Sequence, residues 1–173
     1  MHIRKIIYTP PPDKSITIRA LVLGALCGKK IKIKNPLYCD DTKNAIKALK
    51  KLGCLIKTEK NELLIKGPGM YGWKKNVTIN VGESALFLRL ILGVLINQQA
   101  GYTINGEKTI LRRNFKDTIH PFIKMNAKIV HSNWHLPLII SPSTISPAMI
   151  ETSSAQVKSS FLIQSLYLSL IHI

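Results

Sequence analysis

Three segments of the sequence pair a serine with a basic residue at the start of a long apolar run. The segments are DKSITIRALVLGAL, GESALFLRLILGVL and SSAQVKSSFLIQSL. Their pairs are Ser15 with Arg19, Ser84 with Arg89, and Ser154 with Lys158. A helix N-terminus carries unpaired backbone N–H groups and a partial positive charge. Each segment therefore predicts a helix start that can bind an anion such as phosphate or carboxylate.

The first segment carries the strongest of these signals. Lys14 stands at the predicted helix start, Ser15 can cap it, and Arg19 lies one turn further along the same face. Arginine binds phosphate or carboxylate in a bidentate way that lysine cannot match. A serine before a helix is commonly only a cap, so the functional interpretation depends on the recurrence of the pattern.

The recurrence has a constant period, since the three serines are 69 and 70 residues apart. A second helix also repeats within that period. The first copy has an N-cap at Asp41-Thr42 and a terminating glycine, Gly53. The second copy starts at Asp117-Thr118, has Asn126 in the glycine's place, and should be kinked or split by Pro121.

Short β patterns separate these helices. CLIKTEKNELLIK predicts two strands around a Glu59-Lys60-Asn61 turn, and NVTINV and YTINGE predict strands on either side of the second apolar helix. LPLIIS and AMIET predict strands that lead to the third helix. The order is βαβαββ, given twice and begun a third time. We expect an α/β (α+β) fold with units at about 13–80, 81–152 and 153–173.

Charge is the most unusual feature of the composition. The 173 residues carry 25 basic and 9 acidic side chains, for a net charge of +16. This favours a phosphate-rich partner, either a nucleic acid or a phosphorylated small molecule. The lysines are scattered along the chain and aromatic residues are only 6%, which disfavours a nucleic-acid-binding module.

The thiols and histidines indicate no metal site. Cys27, Cys39 and Cys54 have no CxxC spacing, which is typical of reduced thiols in a cytoplasmic protein. His131 and His135 flank a predicted turn without a further ligand nearby. The longest apolar stretch, at 161–173, is too short to span a bilayer.

Four ordered motifs carry a resemblance to a known family. PPDKSITIRALVLGAL, GESALFLRLILGVL, GEKTILRRN and ETSSAQVKSSFLIQSLYL resemble the N-terminal part of the EPSP synthases, the 3-phosphoshikimate 1-carboxyvinyltransferases. The family fold has two domains, each built from three βαβαββ units. The resemblance implies transfer of the enolpyruvyl group of phosphoenolpyruvate to the 5-hydroxyl of shikimate 3-phosphate, without a cofactor or metal. It also implies a monomeric cytoplasmic enzyme that binds neither nucleic acid nor membrane.

The resemblance also implies roles for individual residues. Those expected to bind shikimate 3-phosphate are Lys14, Ser15, Arg19, Ser154 and Gln156. Those expected to bind phosphoenolpyruvate are Lys14, Arg113, Gln156 and the backbone at Ala85. Arg89 and Asp41 are expected to support them.

The second helix start departs from the family pattern. Ala85 replaces a glycine whose backbone lies against phosphoenolpyruvate in the family, so its methyl group is expected to crowd that ligand. Leu86 replaces a hydroxyl residue, and Glu83 is expected to put a carboxylate near the anion site. These departures favour binding of shikimate 3-phosphate over binding of phosphoenolpyruvate.

The resemblance predicts an incomplete enzyme. Residues 1–12 would be the first strand and crossing segment of a second domain, and 13–173 an incomplete substrate-binding domain of about two and a half units. The catalytic acid and base would lie in the missing domain, so we expect no turnover from these residues alone. Two alternatives remain besides the nucleic-acid module: a relative of the UDP-N-acetylglucosamine enolpyruvyl transferases, and a remnant without function.

Overall fold

The computed structural model describes residues 10–168. Its helices are α1 (Lys14–Cys27), α2 (Asp40–Lys51), α3 (Ala85–Leu95), a 3-10 helix (Lys108–Arg112), α4 (Lys116–Lys124) and α5 (Ala155–Ser165). Its strands are β1 (Lys30–Lys34), β2 (Leu55–Glu59), β3 (Glu62–Lys66), β4 (Val77–Asn80), β5 (Tyr102–Asn105), β6 (Lys128–Ser132) and β7 (His135–Ser141). The first strand predicted before α1 lies outside the described residues.

The two sheets repeat one topology. The first sheet has the order β1-β3-β2, with β3 antiparallel to both neighbours. The second has the order β4-β5-β7-β6, in which β4 and β5 are parallel and the other pairs antiparallel. The arrangement β5-β7-β6 matches β1-β3-β2, so the predicted α/β repeat is confirmed, and the second unit shows the full βαβαββ order.

The predicted strands are confirmed at all but one segment. AMIET, at 148–152, forms no strand. A strand needs a neighbouring backbone to accept and donate its ladder hydrogen bonds, and no described strand is paired with this segment. The β2–β3 turn is also tighter than predicted, because Glu59 still belongs to β2.

The helix boundaries correct three sequence expectations. Asp13 rather than Ser15 caps α1, and Ser15 is the second helical residue. The cap of α2 is Cys39, whose backbone N–H donates to Thr42 Oγ1 at 2.9 Å. The helix α4 begins at Lys116 and runs unsplit through Pro121. Gly53 and Asn126 both have positive φ, which confirms the predicted helix ends.

Helix α3 lies at the centre of the described residues. All eleven of its residues are buried, and it packs against α1 and α5. The backbones of α3 and α5 approach closely at Gly93, where a Cβ would stand 2.4 Å from the backbone oxygen of Ser160. The Ser160 hydroxyl donates to the backbone oxygen of Arg89. Helix α3 therefore contacts both of the other repeated helices, and a buried hydrogen bond joins it to α5.

Among residues 10–168, no helix is both long and apolar enough to cross a membrane.

Candidate anion-binding site

The start of α1 holds a lysine against a carboxylate. Asp13 Oδ1 accepts from the backbone N–H of Ile16 at 2.7 Å, which caps the helix. Lys14 Nζ lies 2.9 Å from Asp41 Oδ2, at the first turn of α2. The hydrogen bond to Asp41, together with its negative charge, raises the pKa of Lys14 and so favours its charged form further. Asp41, expected as a supporting residue, thus contacts Lys14 directly.

Arg19 joins α1 to α5 through neutral hydroxyl groups. Its Nη1 donates to Ser159 Oγ at 2.6 Å, and its Nε lies 3.4 Å from Ser15 Oγ. The Ser159 hydroxyl in turn donates to the backbone oxygen of Ala155 at 2.8 Å. Arg19 is partly exposed and has no carboxylate among its hydrogen-bond partners in residues 10–168. Its positive charge is therefore left without a paired negative charge in this part of the chain.

Ser159, which contacts the candidate ligand Arg19, was not predicted from the sequence. It lies 140 residues from Arg19 in the chain, so no local spacing relates the two. The only sequence signal was the second serine pair, Ser159-Ser160, one turn into the third apolar helix.

Arg89 has a different environment, although it occupies the equivalent place in the second repeat. It is 7% exposed, and its guanidinium donates to Asp117, Thr118 and Gln156, each at 3.0 Å. The guanidinium carbon also lies 5.3 Å from the centre of the Phe115 ring. A buried arginine needs such compensation, and here it ties α3 to α4 and α5.

Arg113 follows the 3-10 helix and is exposed. Its guanidinium carbon lies 5.8 Å from the centre of the same Phe115 ring that Arg89 contacts. Both arginines therefore approach one aromatic side chain, with Arg89 buried and Arg113 open to solvent.

Helix α5 begins with a serine cap, as the sequence predicts. Ser154 caps the helix by accepting from the backbone N–H of Val157 at 3.4 Å. Gln156 is exposed, and its Oε1 accepts from Arg89. Gln156 and Ser159 are three residues apart, hence neighbours on one helix face. Side chains in the first turns of α5 thus accept hydrogen bonds from both Arg19 and Arg89.

The start of α3 is buried rather than exposed to solvent. Ser84 caps it but is 2% exposed, and Ala85 and Leu86 are 7% and 6% exposed. Glu83 Oε1 accepts from the backbone N–H and hydroxyl of Thr109, at 3.0 and 2.6 Å. These bonds lower the pKa of Glu83. The Glu83 carboxylate is therefore engaged at the first turn of the 3-10 helix, and its expected place near an anion site stays a prediction.

The two histidines lie at the β6–β7 turn, as expected. His131 Nδ1 accepts from the backbone N–H of Trp134 at 3.0 Å, and the two rings stack at 4.3 Å. Residues 10–168 contain no group of three or more side chains arranged to hold a metal ion.

Comparison with known proteins identifies the family. The family model for EPSP synthase (3-phosphoshikimate 1-carboxyvinyltransferase) matches residues 2–169. The chain belongs to the EPSP synthase family. Its relatives include the 3-phosphoshikimate 1-carboxyvinyltransferases of Thermodesulfovibrio yellowstonii, 33% identical over 92% of this chain, and of Ruthia magnifica, 34% identical over 91% of it.

Solved EPSP synthase structures share the fold. The enzyme from Acinetobacter baumannii superimposes with a TM-score of 0.85 at 26% identity, over 92% of this chain. The match covers 38% of that enzyme and 38% of the Thermodesulfovibrio relative, so the chain spans well under half the length of these proteins. These relatives are all shikimate enzymes, so the UDP-N-acetylglucosamine and nucleic-acid alternatives are not favoured.

Proposed function

We propose that this chain binds shikimate 3-phosphate in the reaction of the EPSP synthases. In that reaction the enolpyruvyl group of phosphoenolpyruvate passes to the 5-hydroxyl of shikimate 3-phosphate, and phosphate is released. Family membership supports the chemistry. The observation that supports the binding site is the environment of Arg19. Its guanidinium is partly exposed, is hydrogen-bonded to two hydroxyl groups, and has no carboxylate partner in the described residues.

The proposed ligands of shikimate 3-phosphate come from the first turns of α1 and α5, the two helices that Arg19 joins. These ligands are Lys14, Ser15, Arg19, Ser154 and Gln156. Two anionic substrates side by side repel each other, so cations and helix ends must offset that repulsion. Lys14 is half-exposed, and its ion pair with Asp41 holds its ammonium group in place at the start of α1, which is why Asp41 is proposed as a supporting residue.

The proposed ligands of phosphoenolpyruvate are Lys14, Arg113, Gln156 and the Ala85 backbone. Exposure of Arg113 supports its part, since an open guanidinium can take a bidentate anion. The buried start of α3 makes Ala85 the weakest member of this set. Arg89 acts as a support that fixes Gln156 rather than as a ligand.

We further propose the domain division implied by the family. Residues from about 13 onward form part of a substrate-binding domain, and 1–12 form the first strand and crossing segment of the other domain. The enzyme is a cytoplasmic monomer. Its catalytic acid and base come from outside the residues described here.

Isothermal titration calorimetry of the 173-residue chain with shikimate 3-phosphate tests the site. We expect saturable, salt-sensitive binding that weakens at least tenfold in Arg19→Ala. That change removes charge-assisted hydrogen bonds, each worth about 1.5–3 kcal/mol. Ser159→Ala should weaken binding by a smaller factor, because it removes the group that orients the guanidinium but leaves the charge in place.

Arg112→Ala is the matched control, because Arg112 is an exposed arginine with no assigned role. It should bind shikimate 3-phosphate as the unchanged chain does. Circular dichroism confirms that each variant is folded. Equal affinity of the Arg19→Ala and Arg112→Ala variants would refute the site.

A further inference from the structure

The first sheet presents a lysine-rich surface on the side away from its helices. Strand alternation and the β1-β3-β2 register place nine side chains on this surface, in three rows of three. We name it the lysine face. The rows are Lys30, Lys66 and Leu55; Lys32, Leu64 and Lys57; and Lys34, Glu62 and Glu59.

The opposite face of this sheet is already covered. There α1 packs so closely that a Cβ on Gly24 would stand 2.9 Å from Ile65 and 3.7 Å from Ile31. Helix α2 contacts β2 as well. The apolar residues of that inner face therefore pack against the core, whereas among residues 10–168 no helix packs on the lysine face.

The lysine face contains a shallow depression with an apolar floor. Its volume is about 800 Å³, and its lining includes Leu55, Leu64 and the stems of the surrounding lysines. Leu55 is 71% exposed, which is unusual for a leucine in a strand beside another apolar side chain. A depression of this kind can accept apolar side chains from a partner.

Positive charge surrounds the depression in excess. Lys32 pairs with Glu62 at 2.8 Å, and Lys57 pairs with Glu59 at 3.0 Å. Lys30, Lys34 and Lys66 have no ion-pair partner among residues 10–168. Five lysines against two glutamates leave an excess of three positive charges on one small surface, and Lys50 from α2 adds another at its edge.

We propose that the lysine face is a docking surface for an acidic amphipathic helix of a partner protein. Strands of five residues at about 3.3 Å per residue, spaced about 4.8 Å apart, give a patch that matches two to three turns of helix. Apolar residues on one side of such a helix fill the depression around Leu55 and Leu64. Its carboxylates pair with the lysines of the rim.

Other anionic partners fit this surface less well. A nucleic acid offers phosphates for the lysines, but none of the nine outward positions is an aromatic residue on which a base could stack. A membrane surface favours a large apolar area, whereas only two of the nine outward side chains, Leu55 and Leu64, are apolar here. The proposal is independent of the anion site, since it uses none of its residues.

Fluorescence anisotropy with a labelled synthetic peptide tests the proposal on the 173-residue chain. The peptide has about 15 residues, with leucines at helical i, i+3, i+4 and i+7 spacing and glutamates elsewhere. We expect saturable binding that weakens at least tenfold in Leu55→Ser. The double variant Lys30→Glu with Lys66→Glu should show a loss at least as large. A peptide of the same composition but scrambled order should bind at least tenfold more weakly.

The chain offers matched controls for both changes. Val130 on β6 is 63% exposed, so Val130→Ser removes a comparable exposed apolar side chain elsewhere. Lys124→Glu with Lys128→Glu makes the same change in net charge on exposed lysines of the second unit. Both control variants should keep the affinity of the unchanged chain, and circular dichroism verifies folding of all four.

Three results of these titrations would overturn the proposal: no saturable binding, equal binding of the scrambled peptide, or equal losses in the control variants. A competition experiment gives a fourth. Displacement of the labelled peptide by oligothymidylate or phosphatidylglycerol vesicles at a lower concentration than by unlabelled peptide would also overturn it.

Discussion

Arg19 and Arg89 show how one repeated residue can take two roles. Both follow a helix start by about one turn, but Arg89 is buried and bonded to the Asp117 carboxylate, while Arg19 is partly exposed and bonded to hydroxyls. A carboxylate partner cancels most of the field of a guanidinium, whereas hydroxyl groups orient it without cancelling its charge. Arg19 is therefore suited to receive an anion, and Arg89 to hold helices together.

The Cys54 thiol gives a prediction on the pH dependence of stability. Burial raises its pKa from 9.0 to about 12. Between these values the unfolded chain releases the thiol proton and the folded chain keeps it, so the free energy of unfolding falls as pH rises. This one group lowers the free energy of unfolding by about 1.4 kcal/mol for each pH unit in that window. Below pH 9 the thiol is protonated in both states, so it adds no pH dependence there.

Urea unfolding at several pH values from 8 to 11 checks this contribution. We expect Cys54→Ala to be less stable at pH 8, because it leaves a small cavity, but to lose stability less steeply above pH 9. Cys27→Ala is the control, since Cys27 is an exposed free thiol, and its slope should equal that of the unchanged chain. Parallel slopes for all three proteins would contradict the prediction.

At the scale of elements, local patterns predicted most of the fold. The 69–70-residue spacing and the apolar runs were sufficient for α1, α3 and α5, and Gly53 and Asn126 marked helix ends through their conformational preferences. Sequence could not choose between Asp13 and Ser15 as the cap of α1, because both residue types cap well and stand two positions apart.

Long-range relations could not be predicted from spacing. The AMIET segment has a strand-like composition, but strand formation depends on a neighbouring backbone that composition does not reveal. The bond from Arg19 to Ser159 depends on how α1 and α5 pack. The closed start of α3 depends likewise on neighbours that cover Ala85 and Leu86. The helix starts of the proposed anion site were therefore predictable, but the hydrogen bonds that join them were not.

The contact between α3 and α5 gives a prediction at the same scale. Gly93→Ala would place a methyl group 2.4 Å from the Ser160 backbone oxygen, so the helices must separate. We expect a loss of about 1–3 kcal/mol in the free energy of unfolding, as is typical of overpacked cores. Because Arg19 and Arg89 bond to the first turns of α5, separation should also weaken binding of shikimate 3-phosphate.

Gly101→Ala is the control for this change. Its added methyl group would meet Asn76 Oδ1 at 3.4 Å and no closer atom, so the loss should be much smaller. Chemical denaturation of both variants provides the comparison. Equal losses in the two variants would show that the close approach of α3 and α5 is not what constrains Gly93.

At the scale of the whole molecule, charge repulsion opposes folding. The net charge is +16, and the five ion pairs among residues 10–168 are mostly exposed and hence weak. A large net charge destabilises a compact state through self-repulsion. Added salt shortens the Debye length from about 30 Å at 0.01 M to about 8 Å at 0.15 M, so it screens this repulsion more than it weakens contact pairs.

We therefore expect the midpoint of thermal unfolding to rise by several degrees when sodium chloride is raised from about 10 to 150 mM. The matched variant carries glutamine at four exposed lysines, Lys60, Lys75, Lys124 and Lys128, which lowers the charge from +16 to +12. It should unfold at a higher temperature in low salt and respond less to added salt, because less repulsion remains to be screened. A midpoint that falls with salt in the unchanged chain would mean that its ion pairs, led by Lys14 with Asp41 and Arg89 with Asp117, outweigh the net repulsion.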